Sequence, residues 1–150
     1  MKVQQTGGTA GSRLFAVILE DGDKIIASVV TVAARLGIRG ASLSGIGMVN
    51  DAGIALYDTN ARTYVSRDIK EQLELISIDG NIGLRGDGTP IVHAHVALGR
   101  RDLSMIGGHL IEAEVHPSVE IFVQEIGAPL MRSLDESCGL QVVRLPVSAV

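Results

Sequence analysis

The 18 glycines cut this amino-acid sequence into short apolar runs, and only one stretch places its apolar residues at helical spacing. That pattern narrows the possible folds more than any other feature. From Ala41 onward the runs are Ala41 to Val49, Ile54 to Tyr57, Leu73 to Ile78, Ile91 to Leu98, His109 to Val115 and Val119 to Ile126. They are alternating or continuously apolar, as strands are, and glycines and Asp/Asn turns separate them. The spacers are too short to hold crossover helices, so consecutive strands return by turns and build a mostly antiparallel sheet. Two further runs read as strands: Leu14 to Leu19, ended by Glu20, Asp21 and Gly22, and Leu140 to Leu145, after a polar turn at 135–139. The helical stretch has Ile25, Ile26, Val29, Val32, Ala33 and Leu36 on one broad face, with Asp23 placed to cap it and Gly37 to stop it. The predicted class is α+β: a mostly antiparallel, barrel-like sheet flanked by one long helix.

Residues 1–12 are polar and contain Gly7, Gly8 and Gly11, which predicts a mobile lead-in. One domain then spans 13–145, with a short tail at 146–150 and no repeat, linker or low-complexity tract. A chain of this length buries ~70% of the surface its unfolded form exposes, enough for a core without staples. Aromatic residues are only 3% and Trp is absent, so the core must be built from Val, Ile, Leu and Ala. The same scarcity argues against binding by broad aromatic stacking.

Charge restricts the partners. A net charge of −4 and a pI near 5.5 lack the Lys/Arg surplus that neutralises phosphates in nucleic-acid binding. The one adjacent basic pair, Arg100 and Arg101, reads as a solvated turn. The longest apolar stretch, Ile25 to Leu36, is broken by Ser28, Thr31 and Arg35 and falls short of the ~20 residues a membrane span needs. The single Cys138 has no partner for an internal disulfide, and the first residues lack the apolar core of a signal peptide. A cytoplasmic location is therefore expected.

The chemistry-bearing residues gather around three histidines. His93 and His95 are two apart in a strand-like run and so share a face, and His109 opens the next run directly after Gly107 and Gly108. If the two runs pair, three imidazoles converge. Such a set could hold a metal and leave a fourth position for water or substrate, or it could be three hydrogen-bonded core histidines. Imidazoles suit zinc, iron, nickel and copper alike, and zinc is the first candidate. The two glycines predict a close backbone approach beside His109. Glu120, in the next apolar run, either orients a ligand histidine or a substrate or points outward. His116, before Pro117, reads as surface structure. Gly45 and Gly47 read as close-packing positions rather than a phosphate loop, because no third glycine and helix follow.

With these residues in view, the chain resembles the plants-and-prokaryotes conserved (PPC) domain in its free-standing form. The segments that carry the resemblance are RLFAVILEDGDKI, GASLSGIGMV, LELISIDGNIG, VHAHVALGR, GGHLIEAEV and VEIFV. It implies an α+β fold on an antiparallel sheet with a flanking helix, and a homotrimer, in keeping with apolar runs such as Val119 to Val123. Free-standing members are often described as DNA-binding regulators. In the plant proteins the DNA contacts lie in attached AT-hooks, however, and no RGRP-like motif occurs here. The fold is also similar to that of acetolactate decarboxylase, whose zinc is held by an HxH pair and a later histidine. That similarity implies ligand roles for His93, His95 and His109, with Arg85 and Glu120 as candidates for handling substrate. Two functions follow: a trimeric binding protein with a metal or small-ligand site, or a zinc-dependent lyase or hydrolase acting on a small carboxylic acid.

Overall fold

The computed structural model describes residues 1–145, and the expected tail at 146–150 lies outside them. Its elements in chain order are β1 (Lys2–Gly7), β2 (Leu14–Glu20), α1 (Ile25–Leu36), β3 (Ala41–Asp58), β4 (Thr63–Ile69) and β5 (Leu73–Leu84). They continue with β6 (Pro90–Gly99), β7 (Met105–Glu125), β8 (Met131–Asp135) and β9 (Leu140–Arg144). The strands form one nine-stranded sheet in the order β1-β2-β7-β3-β5-β8-β9, with β4 added to β3 and β6 lying between β5 and β7.

Two strands organise the sheet. The runs expected at Ala41 to Val49 and Ile54 to Tyr57 are one 18-residue strand, β3, and the two histidine-side and Val119 runs merge into the 21-residue β7. The sequence breaks between them correspond to register shifts, at Val49/Asp51 and Gly53/Ile54 among others, rather than chain reversals. A β-bulge re-aims a strand without ending it, which is why an interruption in the apolar pattern resembles a turn. Each half of β3 therefore meets different neighbours: 41–49 pairs with β5, and 52–58 with β4.

The barrel-like expectation needs correction. All strand pairs are antiparallel except β5 with β8, which meet in parallel at Leu84 and Met131, so the sheet is mixed and is not a clear barrel. Within the segment expected as a lead-in, residues 2–7 pair with β2 as strand β1. An edge strand needs only backbone partners on one side, so its polar side chains gave no apolar signal. The Met1 amino group completes the attachment through ion pairs to Glu20 (2.8 Å) and Asp23 (2.9 Å).

Helix α1 buries Ile25, Val29, Val32 and Ala33 and packs on β7 and β6. Gly37 ends it in the left-handed conformation, at φ 65°, where glycine carries no Cβ penalty. Asp23 does not cap the start, because its carboxylate accepts from the Glu20 N–H instead. The free N–H groups of Ile26 and Ala27 donate to the Glu112 carboxylate on β7, at 2.8 and 3.1 Å. A strand residue thus supplies the negative charge that a helix N-terminus favours. Beneath it the core is aliphatic as expected, with Phe15 as its one aromatic side chain among the described residues.

Candidate functional site

The candidate cavity sits where β6 passes between β5 and β7. Alternation along β6 turns Ala94 into the core, at 1% exposure, and His93 and His95 to the opposite face. His95 is the direct cross-strand partner of His109 on β7. The three imidazoles accordingly stand in one cluster, with ring centroids 5.1 Å apart for His93–His95 and His93–His109 and 5.6 Å for His95–His109. One ligand atom from each lies within 4.8 Å of those from the others.

Glycines make this approach possible. A side chain at Gly107 would run into the Val96 carbonyl, and one at Gly108 into that of Ala55, so both hold β7 close against its neighbours beside His109. Gly45 and Gly47 likewise pack against the backbone at Glu120 and Ser118, away from the histidines.

Burial sets the charge of the cluster. Loss of solvent, then the Arg132 guanidinium and the neighbouring imidazoles, pushes His93 down to about 4. His109 is lowered by burial first and by His95 and Arg132 after it. Both are therefore neutral at physiological pH, the form that binds metal. Among the described residues the buried His109 Nδ1 has no hydrogen-bond partner, an exception to the general pairing of buried polar atoms.

Three elements enclose the site. Tyr64 of β4 lies 5.0 Å from the His109 ring. From the β8–β9 hairpin come Arg132 and a wall of Leu140, Val142 and Val143, and the cavity they bound has a volume of about 480 Å³. Arg132 is only 6% exposed. It donates from Nη1 to the Gln141 carbonyl (2.7 Å) and from Nη2 to Asn81 Oδ1 (2.8 Å).

The other sequence candidates lie elsewhere. Arg85 is exposed and donates to the Pro90 carbonyl across the β5–β6 turn. Glu120 is exposed on the far half of β7, opposite Ile18 and Ile46. Neither lines the cavity of its own chain, which is lined instead by Arg132 and Tyr64. Those two were missed because β4 has six exposed residues in seven and β8 is a five-residue strand with one buried position, too little for a periodic signal. His116 is on the surface as expected, its Nδ1 2.6 Å from Asp21 Oδ1.

The Plants and Prokaryotes Conserved (PCC) domain model matches residues 7–127. Among solved structures, the metal-containing protein AF0104 from Archaeoglobus fulgidus is 32% identical, with a TM-score of 0.83 over 97% of this chain and 99% of that one. A protein from Ralstonia eutropha JMP134, provisionally named as DNA-binding, is 27% identical, with a TM-score of 0.82 over 88% and 91%. A Staphylococcus aureus protein similar to alpha-acetolactate decarboxylase shares the fold at 13% identity, with a TM-score of 0.53 over 74% and 51%. No curated protein matches the sequence.

Proposed function

Because the chain belongs to the Plants and Prokaryotes Conserved domain family, we propose that it is a homotrimeric binding protein whose His93, His95 and His109 hold a divalent metal, zinc in the first instance. The observation that carries this reading is the convergence of three imidazoles within 4.8 Å, one of them with a buried nitrogen that lacks a partner among the described residues. The donor set fits the group. Three imidazoles match the ligand number of a catalytic or exchangeable zinc site, which keeps a further position for water or a small ligand. The metal-containing character of the 32% identical archaeal protein supports the same reading.

The residues around the ligands have separable tasks. Tyr64 packs beside the His109 ring from the β4 side. Burial and the Arg132 charge keep His93 unprotonated without any metal present, so the set is ready to bind. A bound zinc ion would supply Lewis-acid polarisation of a carbonyl or carboxylate oxygen, or an activated water.

Elemental analysis of protein purified without an affinity tag tests this reading. Near-stoichiometric metal is expected in the wild type and its loss in the His93→Ala, His95→Ala double variant. A metal-free wild type that also fails to take up added zinc overturns it. A second reading, a zinc-dependent lyase or hydrolase acting on a small carboxylic acid, is favoured by the cavity of about 480 Å³ that opens onto the histidines, a volume suited to a small molecule. Metal-dependent turnover of a keto or hydroxy acid would select it. Silence across such a panel would leave the binding protein.

A further inference from the structure

Two buried side-chain polar atoms lack a hydrogen-bond partner among the described residues, His109 Nδ1 and Arg132 Nε, and their residues line the same cavity. We propose that Arg132 is the carboxylate-binding residue of this cavity and that its ligand is a small aliphatic monocarboxylate. This rests on the reading of the histidine cavity as the functional site, and it names the class of molecule that shares that site.

The guanidinium is oriented but not neutralised. It has five N–H donors in a planar fork, and its two assigned bonds go to neutral oxygens, the Gln141 carbonyl and Asn81 Oδ1. No carboxylate pairs with it among the described residues, where the ion pairs all involve other groups. A buried charge without a counter-charge is costly, and proteins keep one chiefly where something else supplies the opposite sign. Asn81 on β5 and Gln141 on β9 grip the group from two sides, which leaves Nε–H and the second N–H of each Nη for a ligand. Arg132 itself comes from the β8–β9 hairpin, beyond the 7–127 segment that matches the family model.

Charge and wall chemistry set the ligand class. Arg132 is the one Lys, Arg, Asp or Glu side chain among the residues that line the cavity, so its guanidinium is the anchor this chain offers an anion. In the metal-free chain a monoanion balances that guanidinium, whereas a dianion such as phosphate carries a second charge against apolar walls. Those walls, Ile91, Val92, Leu140, Val142 and Val143, suit a short branched aliphatic tail. A planar carboxylate also matches the guanidinium fork, which can bind it through two parallel N–H···O bonds.

Titration of the full chain with isovalerate, isovaleramide and inorganic phosphate tests the proposal, each followed by calorimetry and by the Arg132 Nε–H resonance in a proton–nitrogen spectrum. In metal-free and in zinc-loaded wild type, isovalerate is expected to bind at least about tenfold more tightly than its neutral amide, the size of effect a charge-assisted hydrogen bond contributes. It should also shift the Nε–H signal. Arg132→Gln is expected to erase the preference, and Arg132→Lys, which keeps charge but not the fork, to retain part of it. Equal affinity for acid and amide, or phosphate binding to the metal-free chain as tightly as isovalerate, would overturn the assignment. So would an Arg132→Gln protein that folds and still prefers the acid. If that variant does not fold, the wild-type comparison and the Nε–H shift decide alone. The metal reading fails separately: protein that takes up no zinc but prefers isovalerate keeps this proposal, and protein that takes up zinc without that preference rejects it.

Discussion

His93 is the residue through which pH acts on this protein. Its ordinary value of 6.5 is lowered to about 4 in the folded chain, first by burial. Between those two values the unfolded state binds more protons than the folded one, so stability rises with pH across that window and is lost on acidification through it. Urea unfolding of chelator-treated wild type should therefore give a midpoint that falls between neutral pH and about pH 5. In His93→Ala the fall should be smaller, with a remainder from His109, which is lowered as well; an identical fall in both proteins would show that His93 does not titrate this way. Zinc adds to the same trend, because protons compete with it for the imidazoles. Added zinc should raise the thermal midpoint of wild type at neutral pH, raise it less in mild acid, and have little effect on His109→Ala. Unchanged midpoints in verified metal-free wild type would speak against the histidine site.

At the scale of elements, β7 is the strand on which most depends. It carries His109, pairs with β2, β3 and β6, and presents Glu112 to the start of α1. Removing this carboxylate leaves two helix N–H groups without their acceptor, so Glu112→Ala should cost about 1–2 kcal/mol in chemical denaturation, as the loss of an N-cap does. Glu112→Gln, which keeps one acceptor oxygen, should cost less. The glycines beside His109 are a second point of dependence. Gly107→Ala forces a methyl group against the Val96 carbonyl, and overpacking of this kind costs about 1–3 kcal/mol. Because the same contact sets the distance from β7 to β6, the variant should also bind zinc more weakly than wild type. A stability loss with unchanged zinc affinity would show that β7 relaxes without moving His109.

For the whole molecule the question is which surface faces a second copy. The run Val119 to Val123, a sequence reason for expecting a trimer, contributes Val119, Ile121 and Val123 to the chain's own core. Exposed apolar side chains include the cross-strand pair Leu56 and Val65, which are 74% and 56% exposed, Ile46, and Phe122 within that same run. Light scattering should give three times the 15.8 kDa chain mass, and a monomer at micromolar concentration would exclude the trimer. Among the described residues no helix is long and apolar enough to cross a membrane. With a net charge of −4, association with duplex DNA should be weak and steeply salt-dependent. Specific binding by fluorescence anisotropy at physiological salt would reverse that expectation and support the DNA-binding name of the Ralstonia protein.

Features governed by local rules are legible in the amino-acid sequence. Period-two alternation places His93 and His95 on one face, helical spacing together with Gly37 bounds α1, and adjacent glycines mark the close approach at His109. These depend on residues near one another in the chain, so they survive without knowledge of the fold. Tertiary structure alone decided that β3 and β7 run through their interruptions, because a bulge and a turn look alike until the partner strand is seen. It also decided that the helix is capped by Glu112 and not by Asp23, and that the cation facing the histidines is Arg132 and not Arg85. Each of those choices joins residues from distant segments, and the hairpin that delivers Arg132 buries too few apolar residues to announce its position in advance.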